Sequence, residues 1–287
     1  MDIGAIKLSH FSVKEYLLSS HVEEYFSIDE KSSHSKISEL SIAYLLQFDD
    51  DSTVLYSMPL EQYAAKYWID HAKSGGMDPT VLQLILQLFT SESAPFKNWI
   101  KISKLEYHSP LYYASLFGMQ DVVECLLQRR ENAKGELVTP LVAASRKQYE
   151  GVVRLLLENG AMVNVLTGEY ENALHAASAA HQGSEVIVKL LLENGAEVNA
   201  MGGQYGNALQ AALFQGNEAI VKLLLENGAE LNAMGGEYGN ALQAASSQGN
   251  DSEATVKLLL ENGAEVNAMG GKYGNALQAA SSHSVRP

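Results

Sequence analysis

Eight histidines and a single cysteine are the residues of this 287-residue chain best suited to nucleophilic or metal chemistry. Their spacing does not support either. The histidines are scattered, with neither an H-E-x-x-H pair nor the Cys/His spacing of a metal site. Cys125, within Val122-Val123-Glu124-Cys125-Leu126-Leu127, reads as a small buried hydrophobe. No G-x-S-x-G supplies an activated serine, and no G-x-x-x-x-G-K-[ST] supplies a phosphate loop. His10 and His175 are read as structural hydrogen-bonding residues, His175 bonding across the turn that opens its own segment. The expectation is a protein that is not an enzyme, with no catalytic residue, no cofactor and no metal. What recurs with regular spacing is a surface. Tyr170, Tyr205, Tyr238 and Tyr273 appear at matching positions, beside Leu166, Met201, Met234 and Met269. The position before each tyrosine varies: Glu169, Gln204, Glu237, Lys272. An aromatic and methionine ladder with a variable polar neighbour suits protein recognition. The tyrosines also have a packing role open to them. Glu197, Glu230 and Glu265 add negative charge at the same period, which favours a partner carrying a basic patch.

The elements that hold this surface are themselves repeats. LLLENGA occurs at 155–161, 190–196, 223–229 and 258–264, and NALHAA or NALQAA opens at 172, 207, 240 and 275. Weaker copies start at Ser109-Pro110-Leu111 and Thr139-Pro140-Leu141. Leu209, Ala211 and Ala212 begin a short helix whose small residues admit a close neighbour. Glu218 to Glu226 then carries Ile220, Val221, Leu223, Leu224 and Leu225, an apolar face too broad to leave in water. Asn227-Gly228 stops that helix, and Ala229 to Gly239 reads as an extended finger with a tight turn. One such unit cannot bury its own face, whereas stacked units share a continuous core.

Helix, turn, helix and finger at this period resemble the ankyrin repeat. The units are 109–138, 139–171, 172–206, 207–239 and 240–274, with a partial unit at 275–287. Thr139-Pro140-Leu141 keeps that family's T-P-L opening and His175 its histidine; other copies carry asparagine, alanine and glutamine there. The fingers have Gly-Gly-x-Tyr-Gly in place of a D-x-x-G tip. Two 35-residue units carry two extra residues between their helices, around His181–Ser184 and Gly249–Ser252. The array stops after one helix of the partial unit, so the reading is of a piece of a longer array.

Residues 1–108 do not repeat. Ile6–Ser9 alternates like a strand and Ser12–Glu15 fits a capping box. Helices are expected from Ser35 to Phe48 with Ile37, Leu40, Tyr44 and Leu45 on one face, and from Pro59 with Leu60, Tyr63, Ala64, Tyr67 and Trp68 aligned. An acidic loop at Asp49–Asp51 separates them, and further helices are expected over Val81–Phe89, opened by Asp78-Pro79, and Ala94–Ile102. Leu8-Ser9-His10-Phe11-Ser12-Val13-Lys14-Glu15-Tyr16-Leu17, the Pro59–Ala72 segment and Ser109–Ser115 are similar, in order, to segments of fungal NACHT–ankyrin receptors, which are NLR-like proteins. That resemblance implies a winged-helix-like remnant at 1–50, a helical connector at 51–108 and ankyrin repeats at 109–287. The fold class is therefore mainly α, an ankyrin solenoid preceded by a small helical, winged-helix-like region.

Hydrophobic residues make up 46% of the chain and charged residues 19%, enough apolar material for a folded core. The net charge of −14 argues against nucleic acid or an anionic membrane as the main partner. Residues 1–108 hold no arginine, which disfavours DNA binding by that region. No apolar run approaches the ~18 residues of a membrane span. With neither signal peptide nor span read from the sequence, a cytoplasmic protein is expected, the nucleus being open as well. The functional expectation is a non-catalytic interaction scaffold or sensor arm of an NLR-like receptor that binds a protein partner. A transcription-associated ankyrin regulator and the detached arm of a NACHT NTPase are the alternatives.

Overall fold

The computed structural model describes residues 29–48, 60–129, 138–167, 172–181, 183–248 and 253–283. The expected strand at 6–9, the capping box at 12–15, His10, the acidic loop at 49–51 and Pro59 lie outside them, as do Glu169 and Tyr170. The described residues form fifteen helices and no strand. The chain divides into two compact units, Met1–Pro110 and Leu111–Pro287.

The first unit holds α1 (Glu30–Leu45), α2 (Glu61–Gly75), α3 (Pro79–Leu88) and α4 (Ala94–Ile102). Three of these helices open on a side chain that accepts a backbone N–H, satisfying a donor the helix itself leaves free: Asp29 for α1, Asp78 for α3 and Ser93 for α4. The core is aromatic. Trp68 meets Phe89 and Trp99 edge-on at 5.9 and 5.8 Å, Phe96 meets Phe89 at 5.7 Å, and Trp99 Nε1 donates to the Ala65 carbonyl at 3.1 Å.

The buried faces of α1 and α2 differ from expectation. Leu40 and Leu60 are exposed, and Tyr63 and Tyr67 are partly so, while Ser38, Ser41, Ala64, Ala65 and Ala72 are buried. The two helices approach so closely that a Cβ on Gly75 would collide with the backbone of Ser35. Close approach selects small side chains for the contact and leaves Leu40 and Leu60 outside, while Leu45, Ala64 and Trp68 are buried as their spacing predicts.

The second unit takes in all of α5 (Pro110–Leu116) but its first residue, and continues with α6 (Gln120–Gln128), α7 (Val138–Arg146), α8 (Glu150–Glu158), α9 (Ala173–Ser178), α10 (Glu185–Glu193), α11 (Ala208–Phe214), α12 (Glu218–Glu226), α13 (Ala241–Ser246), α14 (Glu253–Glu261) and α15 (Ala276–His283). Short inner helices alternate with nine-residue outer ones. On the inner helices Leu111, Leu141, Leu174, Leu209 and Leu242 are all buried, and their alanine neighbours let the next unit lie close. On α12, Ile220, Val221 and Leu224 are buried whereas Leu223 and Leu225 are half-buried, so the burial stripe is narrower than the apolar face. Gly228, at φ 84°, ends that helix. Its N–H reaches the Leu225 carbonyl and the Ala229 N–H reaches the Leu224 carbonyl, which closes the last turn. Fingers follow, with isolated antiparallel bridges at Gly202–Gly206, Gly235–Gly239 and Gly270–Gly274.

Two sets of side chains brace the array, glutamines within a unit and asparagines from unit to unit, and neither role was expected from the sequence. Asn207 and Asn240 cap α11 and α13, and Gln210 and Gln243 complete reciprocal capping boxes. Each glutamine also ties its inner helix to the finger of its own unit: Gln210 Nε2 donates to Ala233 and Gly239 carbonyls, and Gln243 Nε2 to those of Ala268 and Gly274. In the fingers, Asn164 donates to the Gly195 carbonyl and accepts the Glu197 N–H. Asn199 does the same with Gly228 and Glu230, and Asn232 with Gly263 and Glu265. The signal was in the sequence: an asparagine stands at this finger position in every unit from 139 onward.

Candidate protein-interaction surface

His175 departs from its expected role. Its Nε2 bonds the Ala200 carbonyl at 2.8 Å, so it ties the inner helix to the finger of its own unit where a bond across the opening turn was expected. A carbonyl can only accept, so Nε2 carries the proton. Burial lowers the pKa of this histidine against the opposing pull of that bond, which keeps the ring neutral. Cys125 is half-buried on α6, less enclosed than expected. Among the described residues no group of three His, Cys, Asp or Glu is placed to hold a metal ion, and no helix is long and apolar enough to cross a membrane.

The recurring column on the fingers is where the described candidate residues gather. Tyr205 and Tyr238 stack with centroids 6.2 Å apart and planes 8° from parallel; Tyr273 follows at 6.2 Å. Phe214, the last residue of α11, lies against both, 5.0 Å from Tyr205 and 4.7 Å from Tyr238. Tyr238 is buried, so the middle of this ladder serves packing between units. Burial also raises its pKa, keeping the phenol neutral.

The variable residues are bonded to one another. Gln204 donates to the Glu237 carboxylate at 2.7 Å, and Lys272 donates to the other oxygen of the same group. Backbone bonds run alongside, Glu237 N–H to Gln204 carbonyl and Lys272 N–H to Glu237 carbonyl, both 2.8 Å. The bond from Gln204, then that from Lys272, lowers the Glu237 pKa. For Lys272, burial opposes the charge, but the bonds to Glu237 and Tyr238 outweigh it and raise the pKa. Its ammonium sits 4.3 Å from the Tyr238 centroid and 5.0 Å from that of Tyr273. The finger tips are thus tied into one strip.

The methionines are the exposed members. Met201, Met234 and Met269 are 42, 47 and 68% exposed, and Leu166 stands at the matching position at 43%. The methyl of Met201 occupies the space a side chain on Gly235 would need, and Met234 does the same at Gly270. Met201 and Met234 therefore each lie over the glycine of the next finger and leave their other side to solvent. A row of such flexible, polarisable side chains is suited to contact with another protein surface. Glu197, Glu230 and Glu265, four residues earlier in each finger, are also exposed.

Inner helix, outer helix and finger, braced within units by Gln and joined to the next unit by Asn, define a solenoid of the ankyrin class. The chain belongs to the ankyrin-repeat family: the model described as "Ankyrin repeats (3 copies)" matches at residues 69–167, 163–235 and 209–285, well over half of the sequence. The first match begins within the first compact unit. The chain is also similar to "Azaphilone pigments biosynthesis cluster protein L" of Monascus ruber, 32% identical over 202 residues. That alignment covers 60% of this chain and 37% of the relative, so the chain spans a little over a third of the relative's length. Ankyrin repeats are protein-interaction modules and generally not catalytic.

Proposed function

We propose that this chain is a non-catalytic scaffold that binds a protein partner along its fingers, and that it acts as the interaction or sensor arm of an NLR-like receptor. The observation that carries the reading is the exposed row of Met201, Met234 and Met269 on a bonded frame. A rigid strip loses little conformational freedom on association, and exposed apolar side chains at regular intervals give a partner its contact area. The adjoining carboxylates Glu197, Glu230 and Glu265 favour a partner with a basic patch. The receptor assignment rests on the ordered sequence segments at 8–17, 59–72 and 109–115, and the similarity to a Monascus ruber protein supports a fungal setting. A cytoplasmic location goes with it.

The test is an affinity capture comparing the intact chain with a Met201→Ala, Met234→Ala, Met269→Ala triple variant and with a Gln204→Ala, Glu237→Ala, Lys272→Ala triple variant. Loss of the same captured protein with the methionine variant, in a chain that still melts as the wild type does, supports the surface. A captured set indifferent to both variants sinks it.

A further inference from the structure

Beside the described finger tyrosines and the inner helices lies a slot that successive units close differently. Between Tyr205 and Tyr238 it holds the ring of Phe214. One unit on, the residue in register with Phe214 is Ser247, and there Lys272 covers Tyr238 and Tyr273. One unit back, 35 residues earlier, the register position is Ala179. A methyl cannot fill the room a phenyl ring takes. A cavity of about 270 Å³ lies at this point, lined by Ala179, Ala211, Tyr205, His175, Asn207 and Arg146.

We infer that this cavity is an anchor site for the aromatic side chain of a protein partner, received where Phe214 sits one unit along. The chain itself supplies the template, since Phe214 shows that a ring lodged between finger and inner helix fits this frame. The present walls have the matching chemistry. Tyr205 offers a ring, Ala179 and Ala211 offer methyl groups, and the Arg146 guanidinium lines the same space, a group that favours the face of an aromatic ring. His175, 4% exposed, lines the cavity as well, and its Nδ1 has no hydrogen-bond partner. With Nε2 protonated and bonded to Ala200, that Nδ1 is a lone-pair acceptor. Buried single rings in concave pockets are the side chains that dominate interface energetics.

The inference rests on the protein-interaction reading above, and its test separates the two. The probe is p-cresol, the tyrosine side-chain analogue, titrated into the full chain while the Ala179 and Ala211 methyl resonances are followed. A saturable shift at both methyls is expected. Ala179→Phe should fill the cavity as Phe214 does, weakening p-cresol about tenfold or more without lowering the melting temperature. Phe214→Ala should add a second saturable site at the next level. No saturable shift at Ala179, or undiminished affinity in Ala179→Phe, overturns the inference. A shift that emerges only in Tyr170→Ala also overturns it, by assigning the cavity to the chain's own ring. In the capture assay, a partner that depends on the methionine row but binds Ala179→Phe undiminished refutes the anchor and leaves the interaction reading intact. Loss of that partner in Ala179→Phe supports both.

Discussion

Replacing Gln210 with alanine tests whether a unit's finger is held against its own inner helix by side-chain bonds to the finger's backbone. Gln210 is fully buried. Its Oε1 accepts the Asn207 N–H at 3.1 Å, and its Nε2 donates to the Ala233 and Gly239 carbonyls at 3.1 and 3.0 Å. The three losses are unequal. The Gly239 carbonyl keeps the Gly235 N–H at 2.7 Å, so it stays satisfied. The Ala233 carbonyl and the Asn207 N–H lose the partners named here. Leaving a buried polar group unpaired costs about 1–3 kcal/mol, so two such groups give about 2–4 kcal/mol once partial relaxation is allowed for. In a unit of this size that corresponds to a fall in melting temperature of roughly 5–10 °C. Urea unfolding followed by far-ultraviolet circular dichroism, with a thermal scan on the same samples, measures both. A stability change below about 0.5 kcal/mol would refute the reasoning, because the frame would then be held by apolar stacking alone.

Asn199→Ala should expose the Glu230 amide, raising its hydrogen-exchange rate selectively over the amides of α12, with a cost of about 1–2 kcal/mol; uniform exchange across the region would contradict this. Acidification should destabilise the fold through His175. Its folded pKa lies below the ordinary 6.5, so the unfolded chain takes up the proton first, and stability falls as pH drops through 6.5 toward the folded value. His71, lowered by burial and by His34 against the opposing pull of Asp70, contributes in the same sense. Urea midpoints at pH 7.5 and 5.5 should therefore differ less in His175→Gln than in wild type. Lys272→Ala should cost under about 1 kcal/mol, since its ion pair with Glu237 is part-exposed and screened by salt; a larger loss in a salt titration of stability would place the strip's rigidity in that pair.

The repeating architecture was legible because each unit spells its own burial: leucines at helical spacing, a glycine at the stop, alanines at the close contacts. α3 was legible from Asp78-Pro79, and α4 lies where it was expected, over Ala94–Ile102. The faces of α1 and α2 were legible in part: Leu45, Ala64 and Trp68 lie inside as expected, but helix separation decides whether Leu40 or Ser41 does, and separation is a tertiary quantity. At the surface, sequence located the column but not the division of labour within it. Tyr238 and Met234 lie four residues apart in one finger, yet one is buried and the other is 47% exposed. That outcome depends on Phe214, a residue contributed by the preceding inner helix. The hydrogen bonds of Gln210 and Asn199 escaped for a related reason: their acceptors are backbone carbonyls, which have no letter in the sequence.

Those carbonyl acceptors bear on how such an array changes over generations. Because Asn164, Asn199 and Asn232 address main-chain groups of the following unit, these bonds between units make no demand on that unit's side chains at positions such as Gln204, Glu237 or Lys272. A duplicated copy inserted in register would meet the same acceptors its parent met, and would fit without compensating substitutions. Near-identical units and a freely drifting finger-tip residue are then two outcomes of one joint: recombination can lengthen or shorten the array while point mutation rewrites what it presents.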